Sequence, residues 1–171
     1  MKQRPLVILS SARKESDTKS FVDMVFRELP VDIIDLLDYS ISPFNYENTY
    51  PTNDEFQSVV ENILQHQVIV FATPVYWYAM SGQLKILFDR FTDLVTGKKQ
   101  TGRQLKGKSI FLIAVGADKE LPHGFEIPFL LTSNYLNLSY EGCIFRSTKW
   151  PKEGADLENE MELFRSNIKT N

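Results

Sequence analysis

Residues 68–85 read Val-Ile-Val-Phe-Ala-Thr-Pro-Val-Tyr-Trp-Tyr-Ala-Met-Ser-Gly-Gln-Leu-Lys, and this stretch decides the fold. It begins with five apolar residues, Val68–Ala72, a length typical of a strand buried on both faces. Thr73-Pro74 is expected to stop the strand, because proline has no N–H to donate to a sheet ladder. Three aromatic residues, 76–78, follow as a loop, and the Ser81 hydroxyl can cap a new helix. Since ligands of open α/β sheets lie beyond the carboxyl ends of the strands, this aromatic loop favours a flat, conjugated ligand.

The rest of the chain repeats this alternation of strand and helix. Four further apolar runs predict strands at residues 5–9, 31–37, 110–115 and 138–145. Apolar residues at helical spacing predict helices at 19–29, 56–64, 84–97, 124 to 135 or 136, and around 157–168. Five strands alternating with five helices predict a parallel sheet covered on both faces, which is a three-layer α/β sandwich. Because no repeat or linker divides the chain, residues 1–171 are expected to form one domain.

The connecting segments carry signals of their own. Ser16 or Asp17 is expected to cap the first helix, and Thr52-x-x-Glu55 fits a capping box before the second. Residues 40–53 form a loop that is longer than the usual connection, so it is expected to be functional or mobile. Residues 98–108 are polar and basic and predict a surface loop.

The composition is that of an ordinary globular protein and excludes several classes of function. The chain is 43% hydrophobic and 24% charged, and its net charge of −3 argues against a general nucleic-acid surface. Its one cysteine, Cys143, allows neither an internal disulfide nor a cysteine-cluster metal site. No apolar run approaches the roughly 20 residues that a membrane helix needs. The short apolar run near the N-terminus is too brief for a signal peptide, so a cytoplasmic protein is expected.

The loop after the first strand, Ser10 to Thr18, is dense in hydroxyls and lies before a helix. A helix N-terminus attracts anions, the hydroxyls add hydrogen-bond donors, and Arg13 can add a charge-assisted bond. Composition alone leaves a solvated turn as an equal alternative, but the position after strand one favours a phosphate. Because neither a Walker loop nor a Gly-x-Gly-x-x-Gly run is present, ATP, GTP and a Rossmann dinucleotide are disfavoured.

Two further loops are candidates for ligand binding. Tyr76, Trp77 and Tyr78 could cover the end of the sheet as core, but three consecutive side chains cannot all point inward from one strand face. We therefore favour ligand contact for them. Gly116, at the end of the fourth strand, permits close backbone approach or a positive φ, although glycine also ends strands without chemical reason.

The remaining polar residues give no catalytic motif. His123 is expected to be structural or merely exposed, with ligand contact the less favoured role, and His66 is expected to contact the C-terminal end of the second helix. Asp93 and Glu126 are not paired with a nucleophile or metal motif, and Asp89-Arg90 is expected to make surface or subunit salt links. A phosphoaspartate receiver has the same sheet topology, but it needs acidic residues where this chain has Ser10-Ser11 and Thr73.

Read together, the two main loops resemble those of a known family. Ser11-x-Arg13-x-x-Ser16-x-Thr18, combined with Pro74-x-Tyr76-x-x-x-x-Ser81-Gly82-x-Leu84-Lys85, resembles the NAD(P)H-dependent FMN reductases of the flavodoxin-like proteins. That family includes quinone, azo-dye and chromate reductases. The resemblance implies a five-stranded parallel sheet with the order 2-1-3-4-5. The chain departs from the family pattern at Ser10, where glycine is usual.

The resemblance also implies the cofactor and its contacts. Five residues of the first loop would surround the FMN phosphate: Ser11, Arg13, Ser16, Asp17 and Thr18. Six others would border the isoalloxazine ring: Pro74, Val75, Tyr76, Trp77, Gly116 and Ala117. Neither a catalytic side chain nor a metal is implied. Family members often associate through the helix that begins near Ser81, so a homodimer or homotetramer is expected.

The reaction implied by the resemblance is a ping-pong cycle. NADPH or NADH would pass a hydride to flavin N5 and leave, after which a small electron acceptor would take two electrons. The flavin carries the chemistry, so no protein acid or base is needed. Backbone N–H groups near residues 75–77 and Gly116 are expected to stabilise negative charge on the reduced flavin.

Two other functions and two sources of specificity remain open at this point. A flavin-binding electron carrier is usually strongly acidic, which a net charge of −3 does not match. A module without cofactor that serves as an interaction protein is favoured only by Ser10. Residues 40–53 and 98–108 are expected to help select the acceptor. Arg103, Lys106 and Lys108 could meet the 2′-phosphate of NADPH or could simply be solvated.

Overall fold

The computed structural model describes residues 3–170, and within them five strands form one sheet. The strands are β1 (Leu6–Leu9), β2 (Asp32–Asp35), β3 (Val68–Pro74), β4 (Ser109–Gly116) and β5 (Ser139–Ser147). Their order is β2-β1-β3-β4-β5 and every neighbouring pair is parallel, which confirms the predicted order. Met1, Lys2 and Asn171 of the predicted domain lie outside the described residues.

Helices cover both faces of the sheet. They are α1 (Asp17–Val25), α2 (Phe56–Leu64), α3 (Gly82–Thr96), α4 (Lys99–Arg103), α5 (Ile127–Tyr135) and α6 (Gly154–Thr170). Helices α1 and α6 pack on one face, and α2, α3 and α5 pack on the other. The predicted three-layer α/β sandwich is therefore confirmed.

The central strands β3 and β4 are buried along their whole length, which is why their sequences are continuous apolar runs. Alternate residues serve the two layers: Ile69 and Phe71 pack toward α2 and α3, whereas Val70 and Ala72 pack toward α1 and α6. Because all strands are parallel, their carboxyl ends meet at one edge of the sheet, and the loops beyond β1, β3 and β4 lie together there.

Two strands end differently from the prediction. Strand β3 includes Pro74, which pairs with Val115 in register, and the Val75 N–H then donates to the Val115 carbonyl at 2.7 Å. Proline is tolerated at this position because it is the last residue of the strand. Strand β2 ends at Asp35 and not at Leu37, because the Asp35 carboxylate accepts the Leu37 N–H at 2.9 Å and starts a single 3₁₀ turn.

Two predicted connections were wrong. The side chain of Glu55 does not complete a capping box; it accepts the Ser40 N–H at 2.8 Å, and Asp54 accepts the Phe56 N–H at 3.3 Å in its place. Residues 98–108 are not a plain loop, since they contain the short helix α4. Both misassignments involve contacts between segments that are distant in sequence or a helix too short to show apolar periodicity.

The long segment 40–53 is held against α3 by Arg90, a side chain only 2% exposed. Its guanidinium donates to both carboxylate oxygens of Asp54 at 2.8 and 3.1 Å, to Asp93 at 2.8 Å and to the Ser42 carbonyl at 2.9 Å. It also stacks 3.4 Å from the centroid of the Tyr50 ring. Burial alone would raise the pKa of Asp54, but hydrogen bonds from Arg90 and the Ser42 N–H leave that pKa below its usual value. The segment is thus anchored by buried, paired charges.

This network corrects the interpretation of Asp89-Arg90. Asp89 does make a surface link, to Lys85 at 2.6 Å one helical turn away. Arg90 makes internal links and is not available to a second subunit. The two neighbours differ because successive helix residues point about 100° apart, so one faces solvent and the other faces segment 40–53.

Candidate functional site

Three loops at the carboxyl ends of β1, β3 and β4 enclose a cleft of about 570 Å³, which we call the central cleft. This volume lies within the range of small-molecule sites. Ten of the eleven residues predicted to bind a ligand line it: Ser11, Arg13, Ser16, Asp17, Thr18, Pro74, Val75, Tyr76, Gly116 and Ala117. The eleventh, Trp77, lies outside the lining. The parallel sheet brings together loops that are about 40 to 105 residues apart in sequence.

The first loop is shaped by its own hydroxyls. The Ser16 side chain accepts the Lys19 N–H at 3.1 Å and so caps α1, which decides between the two predicted caps. Its hydroxyl also donates to the Ser11 hydroxyl at 3.1 Å, and Ser11 donates to the Arg13 carbonyl at 2.6 Å. The loop therefore folds back on itself through its own side chains.

The backbone N–H groups of this loop are free to bind a ligand. Within residues 3–170, none of the N–H groups from Ser11 to Thr18 has a protein acceptor. Consecutive free N–H groups at a helix N-terminus make an anion site. The Arg13 side chain lines the same cleft, whereas the Asp17 carboxylate, also in the lining, opposes an anion. Lys14 is turned away and pairs with Asp35 at 3.0 Å and with Asp38.

The aromatic loop is a tight hairpin turn. Tyr76 and Ala79 exchange both backbone hydrogen bonds, at 2.9 and 3.0 Å, around the two residues between them. Trp77 and Tyr78 both have positive φ, 48° and 64°, as a type I′ turn requires. That conformation suits Asn-Gly and strains side chains with a Cβ. Trp77 is 93% exposed, so these rings do not cover the end of the sheet as core.

This geometry corrects one expectation about the ring end of the cleft. The N–H of Val75 is bonded to the Val115 carbonyl and the N–H of Tyr76 to the Ala79 carbonyl. Neither group is available to stabilise charge on a ligand. Gly116 is favoured by close approach, because a Cβ there would lie 3.2 Å from both Val75 and Phe145 and its neighbours would have to shift by a few tenths of an ångström.

A buried chain of hydroxyls joins the first loop to the aromatic loop. Ser10, which is fully buried, hydrogen-bonds through its hydroxyl to that of Ser81 at 2.5 Å. Ser81 caps α3 by accepting the Leu84 N–H at 3.3 Å, and its own N–H donates to the Thr73 hydroxyl at 3.0 Å. The Ser10 side chain thus points into the protein, and it does not obstruct the central cleft.

Three residues of the lining were missed by sequence reasoning: Ala12, Val115 and Thr148. Ala12 and Val115 are neighbours of predicted residues, but Thr148 comes from the end of β5. Its N–H and its hydroxyl both donate to the Gly116 carbonyl, at 2.7 and 3.2 Å. The one signal in the sequence is that Thr148 is a hydroxyl residue three positions after the end of the fifth predicted strand, 138–145.

The other polar candidates lie outside the cleft. His123 is exposed and absent from the lining. His66 contacts the Asn62 carbonyl in the last turn of α2 at 2.7 Å, as predicted, and Asp32 at 3.1 Å. Glu126 accepts the Tyr140 hydroxyl at 2.7 Å. In the described part of the chain, no group of three or more His, Cys, Asp or Glu side chains could hold a metal ion.

The basic residues of segment 98–108 lie at the wrong end of the sheet to meet a ligand in the central cleft. They precede β4, whose eight residues separate them from the cleft by about 25 Å. Lys108 is buried, which lowers its pKa, and it donates to the carbonyls of Leu64 and His66. This position argues against both roles considered for the segment, acceptor selection and contact with a 2′-phosphate.

No helix among residues 3–170 is both long and apolar enough to span a membrane.

The hairpin geometry predicts a stabilising double substitution. Replacing Trp77→Asn together with Tyr78→Gly should raise the melting temperature, because it relieves two positive-φ residues that cost about 1 kcal/mol or more each. For a chain of this size each kcal/mol corresponds to about 2–4 °C. The matched control, Trp77→Ala with Tyr78→Ala, removes the rings but keeps both Cβ atoms, and should not stabilise. Equal melting temperatures for the two variants, by calorimetry, would show that the turn is not strained.

Similar proteins share the architecture. YwqN of Bacillus subtilis (strain 168), provisionally described as an NAD(P)H-dependent FMN-containing oxidoreductase, is 27% identical over 147 residues, 81% of each chain. The Trp repressor binding protein of Bacillus subtilis superposes with a TM-score of 0.71 at 20% identity, over 97% of this chain and 98% of its own. General stress protein 14 from Treponema denticola, solved in complex with FMN, gives 0.65 at 19% identity, over 97% and 96%. These two structures confirm the flavodoxin-like fold.

The family is shown by a match that covers most of the chain. The model for NADPH-dependent FMN reductases matches residues 4–125, which contain β1 to β4 and the three loops of the central cleft. FMN as cofactor and NAD(P)H as reductant, both expected from the loop motifs, are confirmed by this match. The chain belongs to the family of NADPH-dependent FMN reductases.

Proposed function

We propose that the central cleft binds FMN and that the protein carries electrons from NAD(P)H to a small acceptor such as a quinone, a free flavin or an azo compound. The observation that carries this proposal is the convergence of ten predicted residues from three separate loops on one cleft. Membership of a family does not by itself locate a binding site. The convergence of these residues locates a cleft whose size and polarity suit FMN.

The first loop fits the phosphate of FMN. Its free N–H groups and the Ser11 and Ser16 hydroxyls supply donors, and Arg13 supplies a positive charge. Thr18, buried in the first turn of α1, and Asp17 complete this end of the cleft. Since Asp17 opposes an anion, the phosphate would be held by the backbone donors and Arg13 against that charge.

The loops after β3 and β4 fit the flat ring. Pro74, Val75 and Tyr76 line the cleft after β3, and Gly116 and Ala117 line it at the end of the adjacent strand β4. The absence of a Cβ at Gly116 lets Val75 and Phe145 approach, so this part of the cleft is fixed by packing. Trp77, which we predicted to border the ring, projects into solvent from the hairpin and would stand beside the mouth of the cleft.

When bound, FMN would supply the redox chemistry, which is hydride transfer from NAD(P)H followed by two-electron transfer to the acceptor. The side chains of the cleft would bind and orient the flavin. That no catalytic side chain is needed remains a prediction of the sequence. The chemistry is therefore determined by access to the ring and by which molecules can reach it.

We also propose that two copies associate through α3 and α5. Helix α5 exposes Ile127, Leu130, Leu131 and Tyr135, and a groove of about 290 Å³ separates it from α3. Exposed apolar side chains on one helix face mark an interaction surface. Sedimentation velocity at micromolar concentration should show a dimer or larger species, and a monomer would contradict this part of the proposal.

A single domain over residues 1–171 and a cytoplasmic location remain predictions of the sequence.

The alternative functions have less support. Ser10 was the feature that favoured a module without cofactor, but its hydroxyl is committed to Ser81 and leaves the cleft open. A dedicated electron carrier would be expected to carry a strongly acidic surface, and the net charge is only −3.

The proposal is tested by colour. The purified protein should be yellow with bound FMN, and anaerobic addition of NADPH or NADH should bleach it at a rate that depends on coenzyme concentration. Subsequent addition of a quinone should restore the yellow colour. A yellow protein that neither coenzyme bleaches would be a carrier, and a colourless protein that FMN does not reconstitute would be an interaction module.

A further inference from the structure

A second, smaller hollow of about 150 Å³ adjoins the central cleft, between α1 and the end of β5. It shares Asp17 and Thr148 with the cleft lining. Its other walls include Ser20, Phe21, Arg146 and Ser147. We call it the Arg146 hollow, because that side chain supplies its one positive charge.

Arg146 lacks the partner that other interior arginines have. Three arginines among residues 3–170 are buried or half-buried: Arg90, Arg146 and Arg165. Arg90 pairs with two carboxylates, and Arg165 pairs with Glu158 at 2.6 Å. Arg146 has no carboxylate within 4.0 Å among the described residues.

The contacts that Arg146 does make leave most of its donors unused. Its Nη1 atom lies 3.3 Å from the Met24 sulfur, and its Cζ atom lies 5.5 Å from the centroid of the Phe21 ring. A thioether sulfur is only a weak hydrogen-bond acceptor, and the Phe21 ring has no conventional acceptor atom. Because a guanidinium has five N–H groups, most of the Arg146 donors are left without a strong acceptor. Ser20 and Ser147 also line the hollow, and the Ser147 hydroxyl, which accepts the Trp150 N–H, retains its own O–H donor. A half-buried guanidinium with free donors beside hydroxyls is suited to an oxyanion, above all a phosphate.

The segment after β5 adds an aromatic surface next to this hollow. The Thr148 N–H is bonded to Gly116, and the Trp150 N–H donates to the Ser147 hydroxyl at 3.0 Å, so the segment is held in place. Trp150 remains 57% exposed. An indole held beside a phosphate site offers a stacking platform for a nucleobase, which contributes about 1–3 kcal/mol where it has been measured.

We propose that the Arg146 hollow binds the 2′-phosphate of NADPH and that Trp150 stacks on its adenine, so that the enzyme prefers NADPH to NADH. The inference rests on the proposed function, because the nicotinamide must reach the central cleft. Arg103, Lys106 and Lys108 are too far away for this role, and Lys14 is already paired. The Asp17 charge opposes an anion in the hollow, so binding there depends strongly on Arg146.

The kinetic test compares two substitutions in one segment. Arg146→Gln should raise the KM for NADPH by about 10-fold or more, the value of a charge-assisted hydrogen bond, and leave the KM for NADH within about 2-fold. Lys152→Gln is the matched control, since Lys152 is a nearby cation that is already paired with Glu160 at 2.9 Å. It should change neither KM. Equal effects of Arg146→Gln on both coenzymes, or none, would overturn the inference.

A binding test separates this inference from the proposed function. By calorimetry, the unmodified protein should bind adenosine 2′,5′-bisphosphate at least 10-fold more tightly than 5′-AMP, and Arg146→Gln should abolish the difference. Trp150→Ala should weaken both ligands to a similar degree. If inorganic phosphate binds as tightly as the bisphosphate, the hollow holds a bare anion and the inference is wrong. If the bisphosphate binds as expected but neither coenzyme bleaches the protein, the proposed function fails while the site stands.

Discussion

The hydrogen bond between the hydroxyls of Ser10 and Ser81 joins two loops on which the rest of the site depends. The two residues are 71 positions apart, and both are buried at the edge of the sheet where β1 and β3 end. The Ser81 hydroxyl also caps α3 and the Ser81 N–H donates to the Thr73 hydroxyl, so one residue links the start of a helix, the end of a strand and the neighbouring loop. A buried polar group must be paired or it costs stability, and here each hydroxyl has its partner. The first loop and the aromatic hairpin are therefore placed relative to each other by this pairing.

The parallel sheet divides the molecule into two ends with different tasks. At the carboxyl end, the N–H groups of residues 11–18 and the close packing around Gly116 leave an open, polar cleft. At the amino end of β4, the Lys108 ammonium donates its hydrogen bonds to backbone carbonyls. The basic segment 98–108 is therefore structural in part, and the two cations proposed to meet ligands, Arg13 and Arg146, lie after β1 and near the carboxyl end of β5. This separation follows from the uniform direction of the strands.

Sequence patterns predicted most of the fold and most of the cleft lining because both depend on local signals. Apolar runs located the five strands, and the hydroxyl-rich loop and the Pro74 break located two walls of the cleft. The role of Arg90 was not predictable, since its partners Asp54 and Ser42 are far away in the chain and their approach requires the finished fold. The same holds for Thr148, which reaches the cleft only through β4–β5 pairing. The Trp77-Tyr78 turn was missed because type I′ turns are expected to carry asparagine and glycine.

The central claim is that the first loop grips a phosphate while the other two loops border a ring. Comparison of FMN with riboflavin, which has the same ring and no phosphate, tests this claim most directly. Titration of the protein stripped of flavin, followed by fluorescence quenching, should give a Kd for FMN about 100-fold or more below that for riboflavin, since several charge-assisted bonds are lost. Equal affinity for the two flavins would contradict the account, because the loop from Ser11 to Thr18 would then contribute nothing to binding.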